Sequence, residues 1–463
     1  MLWIPIDRAL DIPLNRQIYQ QIREKILRGH LHAGEKLAST RELSVELKVS
    51  RNVILEAYDQ LLAEGFLIAR RGAGTFVAEG ALLTQQTKPF ITNKVGDLIA
   101  GKEVINFRSG IPALNLFPRK TWAKISHQLW HDSEPSTLGY GVPEGRIELR
   151  QTLAYYLLKT RGVECHPEQI IITSGATQAM MLVSRLLLSP NDIAIMEDPI
   201  TNDIQTIFKN SGATIYPIPV DELGMKTTLL PDNIDPKLVF LTPSHQFPLG
   251  STLPIQRRIQ LIEYARKNHC FLIEDDYDSE FRYEGPPVSS LQGLDPELVL
   301  YIGSFSKILS PALRIGYIVL PTQLIEKCRQ LKWFTDLHTP SLDQLTLSRF
   351  IQEGYMERHI TKMKKFYKSQ RDFLIQCLQL TFSHKVKIFG YSTGMHLIAE
   401  FEKIEFTQNL LLKIEQFGVK VYPVEDHTIK KGIYNNRLII GYGHLQKNEI
   451  ELGVTRLFQA INN

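Results

Sequence analysis

Ser304-Phe305-Ser306-Lys307, with Arg314 seven positions beyond the lysine, decides the reading of this 463-residue chain. The apolar run Leu298-Val299-Leu300-Tyr301-Ile302 in front of it reads as a buried strand, and Gly303 is expected to end it. Lys307 then projects from a loop at the C-terminal end of a strand, where open α/β sheets bind ligands. A lysine amine condenses with an aldehyde, while hydroxyls such as Ser304 and Ser306 and a guanidinium such as Arg314 neutralise a phosphate. The stretch is therefore read as a site for a phosphorylated aldehyde.

Length and composition frame that site. With 463 residues and 43% hydrophobic content the chain can bury a large core and fill two or three domains. No apolar run approaches the ~18 residues that span a bilayer. The start Met1-Leu2-Trp3-Ile4-Pro5 meets Asp7 and Arg8 before a signal-peptide core forms, so the cytoplasm is the expected compartment and no membrane partner is expected. Cys165, Cys270, Cys328 and Cys377 have neither disulfide nor zinc spacing, and no metal is expected. A net charge of +4 announces no nucleic-acid partner by itself, so such a partner must be argued from local motifs.

Three segments separate by pattern: a head over residues 1–78, a linker over 79–104 and a large α/β domain over 105–463. The linker contains the polar, Pro-punctuated Thr84-Gln85-Gln86-Thr87-Lys88-Pro89 and a short helix near 95–99. In the head, Ile18, Ile22, Ile26 and Leu27 recur at helical spacing and Gly29 stops the helix. Ser39-Thr40-Arg41-Glu42-Leu43 supplies a cap and a second helix, and Ser50 caps a third from Arg51 to about Glu64. The very short turn Lys48-Val49 makes these two helices cross steeply, which lets Ser50-Arg51-Asn52 enter a major groove. Two strands then flank Arg70-Arg71-Gly72-Ala73-Gly74, a basic tip whose glycines permit close approach. This is a helix-turn-helix with a wing. The head carries eleven basic against ten acidic side chains in residues 1–80, but Arg41, Arg51, Arg70 and Arg71 fall at the helix starts and wing tip, where phosphates and bases are met. Duplex DNA is the expected partner, through Ser39, Thr40, Arg41, Ser50, Arg51, Asn52, Arg70, Arg71, Gly72 and Gly74. From Leu14-Asn15-Arg16-Gln17 through Gly72-Ala73-Gly74-Thr75-Phe76-Val77 the head resembles the GntR-type winged helix; Ala38 departs from it, standing where that family usually has proline.

The large domain supplies what a pyridoxal 5′-phosphate site needs: a Schiff-base lysine, an anion at the ring nitrogen, donors for the phosphate and a group for the phenolic oxygen. Phe271-Leu272-Ile273 reads as a strand delivering Glu274-Asp275-Asp276-Tyr277 to the sheet edge. Asp275 suits the ring nitrogen, with Asp276 as its competitor, and Tyr277 suits the phenolic oxygen. Ile170-Ile171-Ile172-Thr173 turns at Ser174-Gly175-Ala176 into an apolar helix whose first amides form an anion site. Ser244-His245-Gln246 follows another strand with further polar side chains, Gln246 among the expected cofactor contacts. Arg437, before Leu438-Ile439-Ile440, is expected to grip an effector carboxylate.

The order of these boxes, with Asn106-Phe107-Arg108-Ser109-Gly110, Tyr140-Gly141-Val142-Pro143-Glu144-Gly145, Glu357-Arg358-His359-Ile360 and Gly394-Met395-His396, resembles the fold-type I aminotransferases. Fused to a GntR-like head, it is similar to the MocR subfamily of bacterial transcription regulators. The resemblance implies a multidomain protein with a winged helix-turn-helix and an α/β, aspartate aminotransferase-like domain. It implies an internal aldimine on Lys307, Asp275 at the ring nitrogen, Tyr277 at the phenolic oxygen, and Ser304, Ser306, Arg314 and the Ser174-Gly175-Ala176 turn on the phosphate. It also implies that Tyr140 reaches the phosphate of a neighbouring subunit, in a domain-swapped homodimer. One departure bears on activity. After Glu197-Asp198-Pro199 the family has glycine then a tyrosine that stacks on the pyridine ring, and here stand Ile200-Thr201-Asn202. The missing stacking is worth roughly 0.5–1.5 kcal/mol, small beside a covalent bond. Cofactor binding is expected to survive, with no physiological turnover beyond a residual transaminase half-reaction. The expected function is a regulator that senses an amine or amino acid, or the cofactor itself, through Lys307; an aminotransferase with a DNA-binding appendage is the alternative.

Overall fold

The computed structural model describes residues 4–81 and 104–462, which fall into two compact units, Met1–Ala100 and Gly101–Asn463. The helix expected near 95–99 lies outside the described residues. In the first unit, helices α1 (Leu14–Leu27), α2 (Thr40–Glu46) and α3 (Arg51–Ala63) precede an antiparallel pair, β1 (Leu67–Arg70) and β2 (Gly74–Val77). Ile18, Ile22 and Ile26 of α1 bury one stripe against Leu43 of α2 and Ile54 and Leu61 of α3. Ser39 starts α2 with a full capping box: its hydroxyl accepts the Glu42 N–H at 3.2 Å, and the Glu42 carboxylate accepts the Ser39 N–H at 2.8 Å. Ser50 occupies the corresponding position before α3 but makes no side-chain cap. The turn containing Ala38 is tied to α3 by the Tyr58 hydroxyl, which donates to the Ala38 carbonyl at 2.9 Å.

The second unit is built on one eight-stranded sheet. Its strands are β4 (Ile170–Thr173), β5 (Ile193–Asp198), β6 (Thr214–Asp221), β7 (Gly224–Met225), β8 (Pro236–Leu241), β9 (Phe271–Asp276), β10 (Val299–Ser304) and β11 (Gly316–Val319); a short β3 (Ile105–Asn106) precedes them. Their order is β4-β11-β10-β9-β8-β5-β6-β7, parallel from β10 to β6, with β11 and β7 antiparallel to their neighbours. Parallel strands covered on both faces read as continuous apolar runs. Here Leu300 and Ile302 of β10 pack with Met180 and Val183 of the helix Ala176–Leu187, while Tyr301 packs on the opposite side with Leu153 and Tyr156 of the helix Ile147–Arg161.

Gly303 does not end β10, which runs on to Ser304. It is there because the neighbouring antiparallel strand presses Tyr317 against it: a β-carbon at 303 would stand 2.2 Å from the Tyr317 hydroxyl. The glycine marks a close approach within the sheet.

A C-terminal lobe adds β12 (Val386–Phe389), β13 (His396–Phe401), β14 (Val419–Lys420), β15 (Tyr422–Pro423) and β16 (Arg437–Gly441). The sheet β12-β13-β16-β15 is covered by the helices Tyr355–Phe382 and Lys447–Asn462, and β14 pairs in parallel with β3. Among the described residues no helix is long and apolar enough to cross a membrane.

Candidate functional site

The C-terminal ends of β5, β8, β9 and β10 converge on a cavity of about 570 Å³ lined by Lys307, Asp275, Tyr277, Asp278, Thr201 and Phe247. Parallel strands deliver their ends to one edge of a sheet, so residues far apart in sequence meet there. Arg108, Ser109 and Gly110, from the segment after β3, close one side; His396, Tyr422 and His427 of the C-terminal lobe close another. The Lys307 ammonium group donates to the Gly110 carbonyl at 2.8 Å. Burial lowers the Lys307 pKa below that of ordinary lysine, against the pull of Asp278 and with the push of Arg108. A lysine so placed supplies neutral amine more readily than a solvated one.

Asp275 and Asp276 alternate across β9 and have opposite fates. Asp276 turns away from the cavity, where its carboxylate accepts from Arg161 Nε at 2.7 Å, the Tyr301 hydroxyl at 2.6 Å and the Ser279 hydroxyl at 2.8 Å. Burial alone would raise its pKa, but the Arg161 guanidinium and these hydrogen bonds hold it below the usual carboxylate range. Asp275 faces the cavity, and burial, with Asp276 and Asp278 nearby, pushes its pKa up to about 7. A carboxyl raised in this way gains from a cation at its oxygens. That is the property required opposite a pyridine nitrogen.

The other expected cofactor contacts sort into three groups. Ser304, the last residue of β10, and Ser306 on the Lys307 loop share a hydrogen bond between their hydroxyls at 3.0 Å, and the Arg314 guanidinium donates to the Ser174 carbonyl beside Gly175, which precedes the helix Ala176–Leu187. These donors and the first amides of that helix are the groups an anion cradle requires. Arg314 has φ +49° and ψ +47°, an uncommon region for a residue with a β-carbon and one that clusters at ligand clamps. Tyr140 is 86% exposed, its ring edge-on to His338, and is not brought to the cavity of its own chain.

Gln246 is corrected. Its side chain is fully buried, its amide donates to the carbonyls of Pro199 at 2.9 Å and Phe247 at 2.7 Å, and its oxygen accepts the Leu249 N–H. It shapes the loop, and the next residue, Phe247, is the one that lines the cavity.

Arg437 is corrected as well. It begins β16 directly opposite Glu400 of β13, whose carboxylate accepts from its Nε at 2.7 Å, and its guanidinium lies 4.9 Å from the ring centroids of both Phe389 and Tyr434. Opposite charges facing each other across antiparallel strands pair with each other first. The group lines a separate cavity of about 820 Å³ with Lys387 and Glu222, away from Lys307.

Sequence reading missed several residues that line the site: Asp203, Asp278, Phe247, Tyr422 and His427. Asp278 and Phe247 directly follow the expected contacts Tyr277 and Gln246, and a search for polar side chains passes over a phenyl ring. Tyr422 and His427 carry no local signal, because the C-terminal lobe folds back to bring them in. The buried His396 and the half-buried His427 are held neutral, desolvation pushing their pKa values down to about 3 and about 4.

In the head, Arg41, Arg51, Asn52, Arg70, Arg71, Gly72 and Gly74 are exposed. Arg51 Nε donates to the Thr40 hydroxyl at 3.3 Å, which ties the start of α3 to the start of α2, and Arg70 stacks on Phe76 across the wing. The Ser39 hydroxyl is spent on its cap.

Two family patterns match this chain: "Aminotransferase class I and II" over residues 102–457, and "Bacterial regulatory proteins, gntR family" over residues 14–77. A DNA-binding head on an aminotransferase-type domain defines the class, a transcription regulator with the fold of a pyridoxal phosphate enzyme. The chain belongs to the MocR-type regulators within it. It is 34% identical to the uncharacterized HTH-type transcriptional regulator YdeL of Bacillus subtilis (strain 168), covering 98% of both chains. It is 33% identical to the probable rhizopine catabolism regulatory protein MocR of Rhizobium meliloti, covering 98% of this chain and 95% of that one. Among solved structures it matches the kynurenine aminotransferase of Pyrococcus horikoshii, a complex with PMP, at 30% identity and a TM-score of 0.72, covering 78% of this chain and 91% of that one. Pyridoxal 5′-phosphate is the cofactor of this domain class. The desolvated Lys307, the raised Asp275 and the cradle of Ser174, Gly175 and Arg314 fit it.

Proposed function

We propose that this regulator senses an amine through Lys307 and transmits occupancy of the Lys307 cavity to DNA binding by the head. The observation that carries the reading is the desolvated Lys307 amine in a cavity it shares with the raised carboxyl of Asp275. Bound pyridoxal 5′-phosphate supplies an aldehyde that condenses with amines. Lys307 is the attachment point, Asp275 faces the ring nitrogen, Tyr277 faces the phenolic oxygen, and Ser174, Gly175, Ala176, Ser304, Ser306 and Arg314 hold the phosphate. An arriving amine competes with Lys307 for the same carbon. An amine that is also a carboxylate meets Arg108 and Lys420 in this cavity, since Arg437 is committed to Glu400 elsewhere. The effector shifts operator affinity only to the extent that it binds one state of the large domain better than the other.

The protein acts in the cytoplasm as a domain-swapped homodimer, with Tyr140 of each chain reaching the neighbouring phosphate; the exposure of that side chain supports this reading. Operator recognition runs through Arg41, Thr40, Arg51 and Asn52, with Arg70 and Arg71 on the wing, where glycines at 72 and 74 allow close approach to DNA. A working aminotransferase is the second reading, favoured by the 30% identity to a solved aminotransferase. Thr201 in place of a ring and the removal of Arg437 weigh against sustained turnover.

Borohydride treatment of cofactor-saturated protein, followed by peptide mass spectrometry, is expected to label Lys307. A titration with amines, read by absorbance and operator affinity together, is expected to change both without multiple turnover. An unlabelled Lys307 sinks the sensor, and repeated turnover with a keto acid selects the enzyme.

A further inference from the structure

Behind Tyr277, outside the catalogue of cofactor contacts, lies a buried pair. His245 follows β8 and Asp278 follows β9, and each side chain is 2% exposed. His245 Nδ1 stands 2.7 Å from an Asp278 carboxylate oxygen and 3.0 Å from the Tyr277 hydroxyl. Its other nitrogen, Nε2, is buried with no hydrogen-bond partner among the described residues. A neutral imidazole carries one proton, and only one placement suits these surroundings. A lone pair on Nδ1 would face the carboxylate at 2.7 Å and leave an N–H on Nε2 with no acceptor. A proton on Nδ1 satisfies Asp278 and leaves only an unpaired acceptor at Nε2. The backbone of Gly394 fixes the pair from above: its φ is +79°, and a β-carbon there would come within 2.3 Å of both the second Asp278 oxygen and His245 Cε1.

Protonation at Nδ1 has a consequence for Tyr277. With its hydrogen aimed at Asp278, Nδ1 has no lone pair to offer, so the phenol can only accept there and its own proton must turn elsewhere. Burial and the nearby Asp278 and Asp275 carboxylates keep the Tyr277 phenol protonated, well above the ordinary tyrosine range. The open direction is the cavity that Tyr277 lines. We infer that His245 and Asp278 form a tautomer lock: they are positioning residues that hold the Tyr277 hydroxyl with its proton aimed into the Lys307 cavity, at the phenolate oxygen of whatever pyridoxal compound sits there. The ligand half of this inference rests on the function proposed above; the lock itself does not.

The full-length protein labelled with [15N]histidine tests the lock without cofactor. Long-range 1H–15N correlation, with His245 identified by its loss in His245→Gln, is expected to show a neutral ring protonated at Nδ1. A ring protonated at Nε2, or at both nitrogens, overturns the proposal. Asp278→Asn is expected to move the ring toward the Nε2–H form. Reconstituted with pyridoxal 5′-phosphate, the same variant should shift the pH midpoint of the cofactor's absorbance by about one unit or more, the size set by one charge-assisted hydrogen bond. His245→Asn, whose amide N–H reaches the Nδ1 position, should keep that midpoint near the wild-type value. A midpoint unmoved in Asp278→Asn, while borohydride still fixes cofactor on Lys307, refutes the positioning role and leaves the sensor reading intact. An unlabelled Lys307 refutes the sensor reading and leaves the tautomer result standing.

Discussion

Two cavities in the larger unit hold similar chemistry and treat it in opposite ways. Around Arg437, cross-strand geometry brings Glu400 directly opposite the guanidinium and two rings onto its faces, so the charge is consumed by its surroundings. Around Lys307, the strands have ended. Among the described residues Asp275 enters no ion pair, feeling Lys307 only as a charge across the cavity, and the Lys307 hydrogen bond goes to a carbonyl. The sides of strands pair their charges with one another as the sheet forms, whereas strand ends leave charges unmatched until a ligand comes. The larger cavity is therefore not the more reactive one.

That contrast can be broken most directly at its extreme. Lys307→Ala is expected to abolish borohydride-fixed labelling, with the cofactor retained only by its non-covalent contacts; a label that persisted on another lysine would remove the distinction. Asp275→Asn should come next, weakening cofactor affinity by about 10–100-fold, as expected for losing one charge-assisted contact. Its effect on the cofactor-free protein has the opposite sign. A carboxyl whose folded-state pKa, about 7, lies above its unfolded value costs nothing below pH ~4, costs more as pH rises, and reaches a plateau above its folded pKa. Asp275→Asn should therefore stabilise the apoprotein at pH 8, by at most about 4 kcal/mol, and leave it nearly unchanged at pH 4. Thermal unfolding at the two pH values measures both ends.

Smaller effects sharpen the comparison. Arg51→Ala should cost about 1–3 kcal/mol of specific operator binding with the cofactor spectrum unaltered, since a side chain at the start of α3 is placed for base edges. Unchanged operator affinity in a gel-shift titration would strip α3 of that role. Arg437→Ala should change cofactor affinity by no more than about twofold. Its expense should appear in stability, on the order of 1–2 kcal/mol from a part-buried ion pair and two ring contacts. A large loss of amine response in Arg437→Ala would show that the separation of the two cavities fails in solution.

The sequence was legible wherever a function is written in neighbouring residues. The α2 capping box, the short turn before α3 and the basic wing tip are contiguous signals, and each forms its expected local structure. So are Lys307 after an apolar strand and Asp275 at the end of another. Legibility failed where a residue's role depends on what lies across a strand. Gly303 reads as a terminator until Tyr317 is known to cross it, and Arg437 reads as free until Glu400 is placed opposite. Gln246 has the right chemistry, but its amide is claimed by the backbone of its own loop. His427 is placed by contacts that no local pattern encodes: its carbonyl accepts the Ile200 N–H, and the neighbouring Ile429 and Lys430 amides donate to Asp198.

The bond from Lys307 to the Gly110 carbonyl is a parking place. An amine nitrogen engaged in a covalent double bond has no ammonium hydrogens to spare for it, so any reagent that captures position 307 unmoors the peptide at 110. That peptide belongs to the first stretch of the larger unit reached by the chain after it leaves the DNA-binding head, and its tether is released at the same moment the chemistry begins.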